Sequence, residues 1–426
     1  MAMKRTVFAL ALSMAMGFAT MSPATLAAVT DEQVKQLLER IEAQDKRIAE
    51  LEKASANAAV APAPATAPVA VAAPPKAAPS SWTETIALQG DFRFRYENID
   101  VEDRDERNRN RIRARAGIVA KPQPDLEVGF GLSSGEDGDP VSSNQTLGSA
   151  GSRKDVYIDL AYFNKQIAPG VNLTGGKFKN FLYRPGKHAM LWDSDWNPEG
   201  LGVTYQGEMF FANALGTWLD GDSRGGTEFV SGGQVGVTVP LGDSVKLTAG
   251  VGYYDIGVGG KANPLVIDDE VEYFGNSFVC DPVDSVDPDE CAFTVDYAEL
   301  EGFAELAFSL FGIPTSVFVD YVQNQDADIN DTGYAAGFAV GKLKGKGTWD
   351  FSYVYQDLEA DAVLGVLTDS DFGGGGTDTK GHVFRGTYGL GEKWNLGFSY
   401  FLNEIGENAG SEQDYDRIQL DANFKY

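Results

Sequence analysis

The chain has 426 residues, of which 62 are acidic and 35 basic, so its formal net charge is −27. This charge argues against a nucleic-acid partner, because a phosphate backbone requires a basic surface. Only 2 His and 2 Cys are present, so we expect no metal centre and no cofactor. The mean hydropathy is −0.22, and after the first residues no apolar run reaches the ~20 residues of a membrane helix. The 49 Gly and many aromatic residues instead favour a β-rich envelope protein.

Residues 1–28 have the pattern of a secretory signal peptide. Lys4 and Arg5 form the positive start, and the apolar stretch 7–18 is too short to cross a bilayer with its flanks. Ala27 and Ala28 are among the small residues that offer a cleavage site. A buried N-terminal helix is the alternative interpretation.

Residues 29–53 predict a short coiled-coil helix that oligomerises the chain. No Gly or Pro interrupts it, and its predicted seam consists of Val34, Leu37, Ile41, Gln44, Ile48 and Leu51. Arg40 with Asp45 and Arg47 with Glu52 supply the charge pairs that keep neighbouring helices in register. The polar Gln44 in the seam leaves open whether two or three helices associate. A solvated surface helix is the alternative.

Residues 54–82 predict a semi-rigid spacer. They are almost wholly Ala, Pro, Val and Ser, and six prolines lie between Pro62 and Pro79. Proline fixes φ and removes a backbone donor, so such a segment stays extended and forms no domain of its own.

Residues 83–426 predict β-strands that have one apolar and one polar face. Phe92, Phe94 and Tyr96 alternate with charged residues near the start of this region. Near its end, Leu420 and Phe424 belong to an apolar series that alternates with a polar one. A period of two is typical of strands between an apolar and an aqueous environment.

The connections between these strands predict a barrel. Eight long polar connections alternate with seven short turns along the sequence, which gives sixteen strands. Short turns at one rim and long loops at the other are typical of a bacterial outer-membrane barrel, whose strands need ~10 residues to cross the bilayer. The predicted strands are 84–97, 110–121, 124–134, 154–164, 171–180, 199–206, 209–220, 228–240, 244–258, 293–309, 313–323, 333–342, 347–360, 380–388, 394–404 and 414–426. The fold class is therefore all-β, a 16-stranded antiparallel transmembrane barrel preceded by a short coiled coil.

The order of these segments resembles the putative porin family of Gram-negative outer membranes. The resemblance rests on the leader, the coiled coil, the strand LQGDFRFRYE at 88–97, RNRIRARAGI at 109–118 and the terminal RIQLDANFKY. The coiled coil and spacer are also similar to those of anion- and phosphate-selective trimeric porins. The resemblance implies a trimeric outer-membrane channel for ions and small hydrophilic solutes, with its coiled coil in the periplasm. Its expected partners are a second and third copy, lipid, lipopolysaccharide and, through the coiled coil, peptidoglycan.

Arginines at every second position form the sharpest local feature. They occupy one face of two successive strands, and a charge on the lipid face of a barrel would cost ~2–4 kcal/mol at the midplane. We therefore predict that the lumen is lined by Arg93, Arg95, Arg111, Arg113 and Arg115. They form either a ladder that attracts anions or wall charges neutralised by nearby acids such as Asp91, Glu97, Asp103 and Glu106.

The third long loop, 181–198, is the second candidate region. The resemblance implies that this loop folds into the barrel and narrows it. The candidate constriction residues are Arg184, Lys187, Asp193, Asp195 and Glu199, and Lys177 and Lys179 would face the lumen on the preceding strand. Acids that face the arginines would create a transverse field that sets ion preference. An outward, solvated loop is the alternative.

Cys280 and Cys291 lie in the fifth long loop with several carboxylates between them. The oxidising periplasmic route favours a disulfide over two free thiols. The acidic spacing fits no calcium-binding loop, so we expect a solvated tip.

Two other classes of function compete with a channel. A barrel enzyme would need a catalytic base, and His188 and His382 are the only histidines. The glycines 373–376 would bind phosphate only if they led into a helix, and they lie in a predicted loop. A structural barrel that tethers the envelope to peptidoglycan is the other alternative. We predict a porin and no enzymatic activity.

Overall fold

A computed structural model describes residues 85–136, 138–221, 228–261, 272–283 and 290–426, together with Lys46. The predicted signal peptide, coiled coil and spacer lie outside the described residues, apart from Lys46, and remain predictions. No helix within the described ranges is long and apolar enough to cross a membrane.

Nineteen strands make up most of the described chain. In chain order they are β1 (Ala87–Val101), β2 (Arg107–Gln123), β3 (Leu126–Ser134), β4 (Gln145–Thr146), β5 (Val156–Ala168), β6 (Val171–Lys177), β7 (Glu199–Gln206), β8 (Phe210–Asp220), β9 (Glu228–Pro240), β10 (Lys246–Ile256), β11 (Phe278–Cys280), β12 (Cys291–Phe293), β13 (Tyr297–Leu310), β14 (Ile313–Asn324), β15 (Thr332–Gly341), β16 (Trp349–Leu358), β17 (Thr379–Gly389), β18 (Trp394–Ile405) and β19 (Gln413–Lys425).

Sixteen of these strands close into an antiparallel barrel. Each wall strand pairs with its neighbours in sequence, and β1 pairs with both β2 and the last strand, β19. Closure leaves no wall strand with an open hydrogen-bonding edge, as the hydrocarbon interior of a membrane requires. The three short strands are not among the sixteen: β4 pairs with the part of β2 that extends beyond β3, and β11 pairs with β12 in a separate two-stranded sheet. The predicted sixteen-stranded barrel is confirmed.

Six predicted strand boundaries are wrong by three or four residues, and two of them change where loop residues lie. The strand predicted to run to residue 180 ends at Lys177, because Phe178 turns inward, is buried and stacks on Phe181 at 5.6 Å between ring centroids. The strand predicted to begin at residue 293 begins at Tyr297, because the preceding residues pair in the β11–β12 hairpin. Lys179 therefore lies in the third loop and not on a strand.

The two faces of the wall differ as the period-two pattern predicts. Phe92 and Phe94 on β1 are exposed on the outer face, whereas Arg93 and Arg95 between them point inward and are largely covered. Similarly, Tyr253 on β10 is exposed and Tyr254 is buried. This alternation places the apolar face toward lipid and the charged face toward the lumen.

The main apolar core lies inside the barrel. It is formed by inward-facing wall residues, by the third loop (178–198) and the seventh loop (359–378), which fold into the lumen, and by fifth-loop residues such as Tyr273 and Phe293. Trp192 of the third loop is 2% exposed, stacks on Trp196 and meets Tyr254 edge-on, both at 4.8 Å between ring centroids. Burying one such side chain is worth roughly 1.5–3 kcal/mol, so several of them hold the loops in place.

The third and seventh loops bind each other and form one insert. The backbone N–H of Asp193 donates to the carbonyl of Leu367 at 2.7 Å, and that of Asp369 donates to Ala189 at 3.0 Å. The four glycines 373–376 all have positive φ. At Gly376 a Cβ would lie 2.2 Å from the carbonyl oxygen of Phe274, so only glycine fits this close approach.

Candidate functional site

The arginines of β1 and β2 face one another directly across the sheet. Arg93 is opposite Arg113, and Arg95 is opposite Arg111. Like charges opposite each other destabilise a sheet. Counter-charges are therefore needed for this arginine strip, which comprises Arg93, Arg95, Arg111, Arg113 and Arg115.

Acids of the wall supply part of that counter-charge. Asp91 accepts from Arg113 at 3.0 Å and from Arg115 at 2.8 Å. Asp421 on β19 binds Arg95 through both carboxylate oxygens, at 2.8 and 2.9 Å.

Glu97 lies at the centre of a second group of arginines. It is fully buried and contacts Arg109, Arg111 and Arg417 on β19. Two of the four acids named as candidate neutralisers, Asp91 and Glu97, thus contact the strip. In the described chain, Asp103 and Glu106 form no ion pair with it.

Asp195 of the third loop reaches the strip from inside the barrel. Its carboxylate lies 3.5 Å from Nη1 of Arg113 and 3.1 Å from Nη1 of Arg115, and it accepts a hydrogen bond from the Ser143 hydroxyl at 3.0 Å. Burial alone would raise the pKa of Asp195, but Arg113 and Arg115 hold that pKa below its ordinary value. The carboxylate is therefore ionised and bridges two wall arginines.

Asp193 faces the seventh loop instead. It accepts the backbone N–H of Asp195 at 2.6 Å and that of Ser370 at 3.1 Å. Burial, with the negative charges of Asp369 and Asp195, raises the pKa of Asp193 well above its ordinary value. Among the described residues, Asp193 forms no ion pair with the arginine strip, because the third and seventh loops pack around it.

The other predicted constriction residues are spread over several environments. Arg184 donates to the carbonyl of Trp192 at 3.1 Å, so it holds the third loop together, and Lys187 is exposed. Glu199 is the first residue of β7 and forms an ion pair with Lys177 at 2.7 Å. Lys179 is exposed and lines a cavity of about 320 Å³ with Asp91 and Arg115.

The seventh loop contributes two acids that the sequence analysis missed. Asp371 binds Arg95 at 3.0 Å and Arg417 at 2.6 Å, and Asp369 binds Arg385 on β17 at 2.9 Å. The sequence does indicate that this loop folds inward. Residues 362–367 are apolar, and an outward, solvated loop would expose them to water.

The ion pairs around the strip nearly cancel. They join seven arginines (Arg93, Arg95, Arg109, Arg111, Arg113, Arg115 and Arg417) to six acids (Asp91, Glu97, Glu136, Asp195, Asp371 and Asp421). The arginine strip thus belongs to a network in which acids pair with most of the positive charge and a small positive excess remains. The network has features of both sequence interpretations, the anion-attracting ladder and the neutralised wall charges.

Two cavities of opposite charge lie on either side of Asp195 and its arginines. The outer cavity, about 560 Å³, lies at the loop ends of β3 and β5–β8 and is lined by the charged residues Glu136, Asp139, Asp159, Asp195, Glu199 and Lys177. The inner cavity, about 390 Å³, lies toward the short turns of β1, β2 and β17–β19 and is lined by Arg113, Arg115, Arg385, Lys425, Asp91 and Asp421. The charged residues that border the outer cavity are thus mainly acidic, and those that border the inner cavity are mainly basic.

The histidines are held in structural contacts. Nδ1 of His188 accepts the N–H of Met190 at 3.2 Å, so Nε2 donates to Asp320 at 3.0 Å. Burial and Arg184 lower the pKa of His188 to about 3, which keeps its ring neutral. His382 contacts the Tyr353 hydroxyl at 2.9 Å.

Cys280 and Cys291 are joined by a disulfide that links β11 to β12. The bond lies in the fifth long loop, and it closes a hairpin in that loop without linking two wall strands. The residues 284–289 of the intervening acidic segment lie outside the described part of the chain.

The chain matches one family of known proteins. A sequence model for the family described as "Putative porin" matches residues 101–276 and 282–426. A search of curated proteins finds no match.

Solved outer-membrane proteins have a similar backbone. OprB of Pseudomonas putida superposes with a TM-score of 0.53 at 10% identity, over 81% of this chain and 95% of that one. The porin of Rhodopseudomonas blastica gives 0.46 at 12% identity over 80% and 100%. OmpF of Salmonella typhi, in complex with daunomycin, gives 0.46 at 11% identity over 80% and 97%. At this identity, the likeness to OprB supports the fold alone.

Proposed function

The chain belongs to the putative porin family, and from that premise we propose how its lumen selects solutes. The protein is an outer-membrane porin, a channel rather than an enzyme, and it passes ions and small hydrophilic solutes down their gradients. The observation that carries the selectivity proposal is the contact of Asp195 with Arg113 and Arg115, between two cavities of opposite charge.

The arginine strip lines the permeation path and gives the channel a weak preference for anions. Four basic residues and two acids border the inner cavity, and the network around the strip keeps a small positive excess. Arginine keeps its charge at any working pH, so the preference persists across the physiological range. The preference is weak because most of the positive charge is paired.

Lys177, Lys179 and the third loop complete the path. Arg184 holds the loop in its inserted form, Asp195 faces the strip, and Glu199 and Lys177 border the outer cavity. Lys187 is exposed in the same loop. The two loops leave cavities of a few hundred cubic ångströms, which suits single ions and small solutes rather than polymers.

Swelling of proteoliposomes tests passive diffusion. We expect the initial swelling rate to fall smoothly as uncharged sugars and polyols of increasing size are used, without saturation at high concentration, because diffusion through a narrow pore depends on size. Liposomes that carry folded, heat-modifiable protein and do not swell would contradict the channel and favour the tether.

The predicted segments before the barrel complete the proposal. Residues 1–28 direct export and are removed, 29–53 form a coiled coil in the periplasm, and 54–82 space it from the barrel in 83–426. The coiled coil brings three copies together, since a short helix gains stability when larger bodies hold its partners close. It also reaches peptidoglycan, while the barrel contacts lipid and lipopolysaccharide.

The mass of the purified full-length protein in detergent tests the oligomer. We expect about three times the chain mass of 45.8 kDa, less the leader. Replacing Ile41 and Ile48 with Asn should weaken the trimer without unfolding the barrel. A wild-type protein that stays monomeric would contradict the trimer.

A further inference from the structure

The seventh loop (359–378) is anchored within the barrel independently of its charges. Its apolar turn is buried, with Val363 and Leu367 each 1% exposed. Asn276 of the fifth loop donates to the carbonyls of Ala360 and Val363, and Glu299 on β13 accepts the N–H of Leu364 at 3.0 Å. The segment that follows the turn, which carries Asp369 and Asp371, is therefore held at a fixed place beside the wall.

Asp371 bridges the two strands that close the barrel. It binds Arg95 on β1 at 3.0 Å and Arg417 on β19 at 2.6 Å. Burial opposes ionisation, but Arg417 and Arg95 hold the pKa of Asp371 well below its ordinary value. Its side chain is 19% exposed, so it remains within reach of the solvent in the lumen.

Few other acids can replace Asp371. Arg417 otherwise pairs with Glu97, which Arg109 and Arg111 also contact. The buried Nε atoms of Arg93, Arg111 and Arg417 have no hydrogen-bond acceptor among the described residues. Loss of the Asp371 charge would leave Arg95 with Asp421 alone and Arg417 with the shared Glu97, and a mobile anion is the nearest substitute for the lost acid.

We propose that the seventh loop is a second selectivity element of the lumen, in which Asp371, assisted by Asp369, limits anion passage. Asp371 pairs with Arg95 and Arg417, and Asp369 pairs with Arg385. Without these acids, the three arginines would attract permeating anions. The inference rests on the proposed channel function. In this proposal, acids of the seventh loop and of the third loop together determine how strongly the channel prefers anions.

Planar-bilayer recording of Asp371→Asn tests the proposal against a matched control. Asp361→Asn changes a buried acid of the same loop that accepts from the Ser277 N–H and the Tyr297 hydroxyl and forms no ion pair with arginine in the described chain. We expect Asp371→Asn to raise the ratio of chloride to potassium permeability about fivefold, as for a unit charge removed ~8 Å from the path in water, because its removal favours chloride and disfavours potassium by the same amount. Asp361→Asn should leave the ratio within a factor of two, and Asp371→Glu should retain the wild-type ratio.

Two outcomes would overturn the proposal. Equal ratios in wild type and Asp371→Asn would mean that Asp371 lies away from the ion path, and equal shifts in both Asn variants would mean that loosening of the loop causes the change. If Asp371→Asn does not fold, Asp369→Asn replaces it, with an expected rise of about twofold from freeing Arg385 alone. A wild-type protein without conductance would instead contradict the channel itself, so the two failures are distinguishable.

Discussion

Asp193 and Asp195 stand two residues apart in the third loop, yet their surroundings give their carboxyl groups opposite properties. Asp195 contacts two arginines of the wall, which hold its pKa down. Asp193 is buried against the seventh loop, and its pKa is raised by burial and by neighbouring acids. The sequence shows two equivalent acids, and only the packing of one loop on the other separates their roles.

This difference predicts the effect of replacing each acid. Asp195→Asn should raise the ratio of anion to cation permeability several-fold, because Arg113 and Arg115 lose one of the two acids they share. Asp193→Asn should change the ratio less, because the Asp193 carboxyl contacts the seventh loop and forms no ion pair with the arginine strip in the described chain, although the substitution will lower stability. Zero-current potentials of both variants in a salt gradient measure the effect. An equal ratio in wild type and Asp195→Asn would contradict the assignment.

A second residue predicts a pH dependence of selectivity. Asp139 lies in the second loop and lines the outer cavity, and burial raises its pKa to about 6, against hydrogen bonds from the N–H groups of Val141 and Ser142. The carboxyl is neutral below this pH and negative above it. The cation share of the current should therefore rise as pH increases from 5 to 7.

Asp139→Asn provides the control for this titration. The variant keeps the size of the side chain but cannot ionise, so its permeability ratio should show no step near pH 6. A step of the same size in wild type and variant would assign the titration to a group other than Asp139.

Among the elements, the strands could be predicted and the path of the loops could not. Strands between lipid and water must alternate apolar and polar residues. The faces on which Phe92, Arg93 and Phe94 lie can therefore be predicted without knowing which strands pair. A loop has no such period. Asp371 and Arg95 are 276 residues apart in the sequence, and no local sequence pattern predicts their contact.

Burial of Trp192 predicts that this side chain anchors the third loop inside the barrel. Trp192→Ala should lower the stability of the folded protein by ~3–5 kcal/mol and increase both the conductance and its fluctuations, because the third loop loses a buried anchor. Trp349→Ala is the control, since Trp349 is 44% exposed at the first residue of β16. Urea unfolding and single-channel records measure the two effects. Equal behaviour of the two variants would mean that Trp192 does not anchor the loop.

At the scale of the whole molecule, the alternation of long and short connections was sufficient to predict the number of strands. Each hairpin returns the chain to the same rim, so long loops and short turns must separate to opposite ends. The closing pair of β1 with β19 then follows, because an open edge is not tolerated in lipid. The sequence pointed to acids of the third loop beside the arginines, but it did not predict that Asp371 of the seventh loop would pair with Arg95 and Arg417.

Compensation on this scale explains why the formal charge of −27 is a poor guide to selectivity. Many acids lie in loops, whereas the pathway depends on the few residues around Asp195, Arg113 and Arg115. Selectivity is therefore a local property of the lumen, and it should respond to single substitutions there while the total charge barely changes.

Single-channel recording in a planar bilayer with a tenfold salt gradient tests the central claim most directly. We expect discrete conductance steps and a zero-current potential whose sign shows a weak preference for anions. The double variant Arg111→Ala plus Arg113→Ala should lose that preference, because two basic residues of the strip are removed while Glu97, Asp91 and Asp195 remain. Conductance steps with the same zero-current potential in wild type and variant would place the arginine strip outside the ion path. An absence of steps from folded, heat-modifiable protein would contradict the channel.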